Sequence, residues 1–276
     1  MKINRNVLCA CGSGLKYKHC CINSFVITTR SRIKTYPEKF VIGKLIKNSK
    51  TFNNFYQKER EKIKITIYWV ESSSNRESFF YLPGNMNGGR HKNEYGETFI
   101  ILKRIPVSLH DEILIAHELG HILLDLEKFP YIITHENQYE YIASFFSTII
   151  HDFLIDSRLS QFGFNIQKDS LDVYDKHLKE LKKINELPSG FVDDYYQILM
   201  YVSDAVSYDL FLKNIRTRNL IREITREKFS KIAEIGDRLV EIVNDCEFDT
   251  PEKQVKIFNS FIDIFKLQQH LSVKIF

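Results

Sequence analysis

The spacing of apolar positions changes along the chain, and each change marks an element. Between residues 37 and 60, Phe40, Val41, Leu45, Phe52 and Phe55 recur at helix-like intervals, which predicts helix. Residues 62–70 read KIKITIYWV. Alternation at Ile63, Ile65 and Ile67, with β-branched and aromatic side chains, predicts a strand. Residues 78–82 are a second strand candidate, ended by Pro83 and Gly84. Residues 84–96 contain NMNGGRHKNEYG, a turn-rich loop, and residues 97–105, ETFIILKRI, a third strand. From Val107 the period becomes helical. Ser108 is placed to cap a helix, with Asp111 three positions later beside its first backbone N–H groups. That helix runs to about Leu126, and further helical patterns cover about 138–162, 169–185, 191–213, 219–245 and 251–270. The pattern is α+β: a small mixed sheet first, then a mostly helical C-terminal part.

Composition narrows this only slightly. The chain has 276 residues, 43% hydrophobic and 27% charged, with 21 Phe and 14 Tyr, so a sizeable core is affordable. The net charge of +4 comes from 39 basic and 35 acidic residues, a near balance that demands no nucleic-acid partner. The basic runs at 176–183 and 216–228 are interleaved with acidic residues, so none is expected. The N-terminus lacks the apolar stretch of a secretory signal, and no apolar run is long enough to span a bilayer. A cytoplasmic location with no membrane contact is the expectation. Four of the five cysteines, Cys9, Cys11, Cys20 and Cys21, fall within thirteen residues. In a reducing compartment such a cluster points to metal ligation rather than disulfides. Cys246, alone in a helical pattern, reads as a core residue.

The strongest chemistry lies at His117-Glu118-Leu119-Gly120-His121, an H-E-x-x-H pattern inside the helix that follows Ser108. Residues four apart on a helix lie one turn above each other, so two imidazoles can share one ion. Zinc accepts such nitrogen donors, keeps a position open for water and makes that water more acidic. Glu118 is then placed to take the water's proton. The surrounding residues, Ile113 to Ala116, Leu119 and Ile122 to Leu124, are apolar on all sides. Such a helix is buried, and burying His117, Glu118 and His121 is costly unless something satisfies them. A chance pattern, with His117 and His121 as hydrogen-bonded core or rim residues, is the competing reading.

A third zinc ligand is needed. Glu140, nineteen residues beyond His121 near the start of the next helix, is the first candidate; its alternative is an exposed glutamate favourable to the helix dipole. His151 and Asp156, further along in IIHDFLIDSRL, are rivals or supporting groups. Eleven residues separate Glu140 from His151, about 16 Å along a straight helix, so both cannot bind one ion. His91, His110 and His135 fall in or near loops and read as ordinary solvated histidines.

HELGH followed by E-x-x-A-S-x-F, residues 140–146, resembles gluzincin-type metallopeptidase-like proteins of the ImmA/IrrE kind. The resemblance covers about residues 97–150. It implies a zincin core, with His117, His121 and Glu140 as zinc ligands, Glu118 as base and a peptide or protein as substrate. Ser144 stands where that family usually has asparagine. The N-terminal C-x-C-G-S-G-x-K-Y-K-x-C-C resembles the SEC-C motif, a zinc knuckle. That resemblance implies a closed four-thiolate structural zinc on Cys9, Cys11, Cys20 and Cys21, with His19 as an alternative ligand, and a role in docking a protein partner through residues 1–24. The organisation expected is a knuckle over 1–24, a zincin-like core over 25–165 and a helical region over 166–276. Two zinc ions follow, one catalytic and one structural. The function expected is peptide-bond hydrolysis by a zinc-bound water that Glu118 activates. The alternative is an idle zincin scaffold recruited to a partner by the knuckle.

Overall fold

A computed structural model describes residues 4–9, 11, 13–21, 26–27, 33–75, 78, 80–82, 86–183, 191–207, 210 and 215–275. The chain separates into two compact units. One comprises Met1–Leu123 with Phe162–Phe164, the other Leu124–Gln161 with Asn165–Phe276.

In the first unit, β1 (Val26–Ile27) pairs antiparallel with β2 (Lys34–Thr35). The single helix expected over 37–60 is two, α1 (Glu38–Asn48) and α2 (Lys50–Arg60). Ser49 makes the break. Its backbone is extended (φ −109°, ψ 114°), and its hydroxyl accepts the Phe52 N–H at 3.0 Å, capping α2. A serine that can cap competes with helix continuation, because its oxygen satisfies a backbone donor that a new helix start leaves open. Tyr56 and Arg60 of α2 both donate to Glu38 at the start of α1, at 2.7 and 2.9 Å, which holds the two helices together.

The sheet has three strands in the order β3 (Ile67–Glu71), β5 (Thr98–Leu102), β4 (Gly88–Lys92). β5 runs parallel to β3 and antiparallel to β4. Every β5 residue is buried, which is why TFIIL carries no polar alternation. β4 lies inside the stretch whose glycines and polar residues predict a loop. Its strand character comes from pairing with β5, since Gly88 and Gly89 have no intrinsic strand preference. Of the strand expected over 78–82, the described residues Ser78, Phe80, Tyr81 and Leu82 form no strand. Trp69, Phe40, Phe52 and Phe99 fill the core of this unit. Phe162 and Phe164 close edge-on over Phe55 of α2, with ring centroids 5.3 and 5.8 Å away.

The cap expected at Ser108 is present: its N–H is donated to the Asp111 carboxylate at 2.7 Å. A short 3-10 turn, Leu109–Asp111, leads into α3 (Glu112–Leu126), the helix that carries HELGH.

The second unit is helical except for one antiparallel pair, β6 (Tyr131–Ile133) with β7 (Ser272–Lys274). Neither strand is evident from residue pattern; three residues are too few to show a period. α4 (Asn137–Gln161) matches the expected helix closely. Its Ser147 hydroxyl accepts the Ile132 N–H at 2.8 Å and donates to the Ala143 carbonyl, so a buried serine is satisfied twice while pinning β6 to α4. Then follow α5 (Ile166–Lys183), α6 (Phe191–Ser207), α7 (Ile215–Lys228), α8 (Ser230–Cys246) and α9 (Pro251–Ile264). Phe229 separates α7 and α8 within the stretch expected as one helix. The core of this unit runs through Phe146, Leu199, Val202, Leu239, Val243, Phe258 and Phe261. Each such side chain contributes roughly 1.5–3 kcal/mol on burial. Half-buried Cys246 packs against it, as its helical surroundings suggest. Among the described residues no helix is long and apolar enough to cross a membrane.

Candidate functional sites

The N-terminal cysteines are gathered by local backbone structure. Leu8 and Lys16 bridge antiparallel, the Cys9 N–H is donated to the Leu15 carbonyl at 2.7 Å, and Gly14 turns the chain at φ +77°, a conformation that favours glycine. This hairpin places Cys9 and Cys11. A 3-10 turn at Tyr17–His19 then brings back Cys20 and Cys21. The four sulfurs lie within 4.8 Å of one another, with Cys11 Sγ 3.3 Å from Cys20 Sγ. A disulfide needs about 2.05 Å, so these are thiols grouped around a common point.

Their electrostatics fit a cation. Burial pushes the Cys21 thiol well above its ordinary range, and the neighbouring thiols push it further. Burial also raises Cys9. At Cys11 burial acts in the same direction, but hydrogen bonding by Ser13, Cys20 and Cys9 outweighs it and brings the thiol down to about 6. Four thiolates cannot coexist this closely without positive charge between them. A divalent ion supplies it, and zinc suits four sulfurs. His19, the alternative ligand, is exposed and stands outside the cluster.

α3 holds the second constellation. The His117 and His121 rings have centroids 4.9 Å apart and stand nearly perpendicular at 80°. Both are half-buried, while Glu118 between them is only 7% exposed. Two imidazoles one turn apart can offer nitrogens to one ion, and a buried carboxylate beside them can act as a base. β4 packs closely on this helix: a Cβ on Gly88 would meet the Leu114 side chain, Cδ1 at 3.0 Å. Leu114 lies one turn before His117 on α3.

Besides the cysteines, the potential metal donors on α3 are His117 and His121. Asp152 is half-buried on α4. Glu140 is exposed in the first turn of α4, and Ser144 one turn on is exposed too. His151 is 1% exposed, its Nε2 lies 3.0 Å from the Pro130 carbonyl, and Tyr131 and Phe258 present ring edges to it. It is a satisfied core histidine of its unit. Asp156 is half-buried. His110 and His135 are exposed, as expected of loop histidines. His91 departs from that expectation: it is half-buried on β4, and burial, aided by the Arg90 charge, lowers its pKa to about 4.

Residues 5–23 match the family model of the SEC-C motif. No curated protein matches the chain, and no solved structure does.

Proposed function

We propose that the chain is a zinc-dependent peptidase of the zincin type, with its reaction centre on α3. The observation that carries this reading is the pairing of two adjacent half-buried imidazoles with a buried glutamate between them on one helix. A glutamate so buried is expensive unless a partner or a reaction uses its charge. In this reading His117 and His121 hold the ion. When bound, the ion would polarise the scissile carbonyl and acidify the attacking water. Glu118 accepts the proton of that water as its oxygen adds to the carbonyl carbon. It then gives the proton to the leaving nitrogen as the C–N bond breaks, so it ends each cycle ionised. Among the described residues β4 has a strand neighbour on one side only. An extended substrate can add to its other side by backbone pairing. β5 is central in the sheet and has no edge to offer.

A second reading has its own support. The SEC-C match favours a protein recruited to a partner through residues 1–24, with the helix site idle. Incubating the purified chain with unstructured protein substrates, with and without a metal chelator, separates the two. Chelator-sensitive cleavage that Glu118→Gln removes supports the peptidase. Partner capture that needs residues 1–24, with no cleavage under any metal condition, supports the second reading.

A further inference from the structure

The cysteine knuckle is seated on its own chain. A Cβ at Gly43 of α1 would lie 2.4 Å from the Cys11 carbonyl oxygen and 2.7 Å from Cys11 Cα. Those are backbone atoms that cannot swing aside, so the approach requires glycine. Tyr17, between the two cysteine pairs, is 5% exposed, and its ring lies 5.3 Å from that of Phe40 on α1. Phe40 is itself 1% exposed and also stacks with Tyr36, which bridges to Trp69 of β3. The knuckle therefore covers α1 and forms part of the packing of the first unit.

The same helix also reaches the start of α3. The Val41 carbonyl accepts the Val107 N–H at 3.3 Å, immediately before the Ser108 cap. Ser49, which ends α1, donates its hydroxyl to the carboxylate of Glu112, the first residue of α3. One α1 turn thus holds the knuckle through Phe40 and Gly43 while Val41 in that turn, and Ser49 at the helix end, hold the lead-in to the HELGH helix.

We propose that the knuckle, loaded with its metal, is an internal clamp on the HELGH helix: it fixes α1, and α1 fixes the start of α3 through Val41 and Ser49. The physical basis is the knuckle's small size. Thirteen residues bury too little to hold themselves together, so the ion supplies their folding energy. Without it the Tyr17–Phe40 and Cys11–Gly43 contacts lose their anchored partner. α1 then loses cover on one face, and the hydrogen bonds it makes to Val107 and Glu112 are held less firmly. This assignment does not depend on the peptidase reading; it concerns the order of a helix, whatever that helix does.

Amide hydrogen exchange on the full chain, combined with zinc analysis, tests it. In Cys21→Ser the knuckle metal is lost, and exchange at α1 and at residues 107–115 rises by about tenfold or more, while α6 and α8 keep their protection. In Gly43→Ala the cysteines still bind zinc, yet α1 and residues 107–115 show the same direction of loss, which separates docking of the knuckle from its metal. Ser49→Ala loosens residues 107–115 and leaves the knuckle and its zinc intact. If Cys21→Ser does not fold, the Gly43→Ala and Ser49→Ala results decide alone. Exchange at residues 107–115 within about twofold of the parent chain in both of those variants overturns the clamp and makes the knuckle an independent appendage.

Discussion

The two candidate metal centres draw their donors from very different lengths of chain. At the N-terminus all four thiols come from residues 9–21, and a hairpin with one 3-10 turn is enough to gather them. On α3 one turn of helix aligns His117 and His121, but two nitrogens do not complete a zinc site. A zinc ion there would need a further ligand from elsewhere in the fold. The contrast shows why a short motif can define a whole metal site in one place and only the beginning of one in another. It also shows why the first site matches a family model while the second rests on its own chemistry.

The sharpest way to break the comparison is to remove Glu118. Glu118→Gln keeps side-chain size and both imidazoles, so zinc content should stay at the level of the parent chain while cleavage falls by about 10²–10⁴-fold. Undiminished turnover in that variant removes the proposed mechanism. Next in size is metal stoichiometry. His117→Ala should lose the helix-bound zinc and keep the cysteine-bound one, because the two donor sets share no residue. Loss of both ions together in that variant would show that the centres are not separable.

The smallest effect concerns pH. The folded chain holds His91 near 4, against an ordinary value of about 6.5. Between those values the unfolded chain binds the extra proton, so stability present above about pH 6.5 is lost as pH falls toward 4. In His91→Gln thermal unfolding should fall less steeply across that window. An unchanged slope would assign the acid sensitivity of the first unit to other groups.

Much of this was legible in residue pattern. α4 and the Ser108–Asp111 cap follow from period and capping chemistry, and the cysteine cluster from spacing alone. The failures are equally specific. The break at Ser49 was missed because a serine inside an apolar helical pattern is compatible with helix until its hydroxyl finds Phe52 N–H and Glu112. β4 was missed because Gly88 and Gly89 read as turn residues, whereas Gly88 packs against Leu114 of α3 and Gly89 against Leu82. His151 reads as a rival ligand from its place on the helix of Glu140; in the structure its Nε2 lies 3.0 Å from the Pro130 carbonyl.

What the residues settled unaided are features whose causes lie within a few positions of one another: helix faces, caps, the cysteine group and the stacking of His117 over His121. Tertiary structure decided the strand order β3-β5-β4, the exposure of Glu140 and the seating of the knuckle on Gly43. Each of these depends on atoms far apart in the chain meeting in space. Periodicity records which side of an element is apolar, but it does not record what that side will pack against.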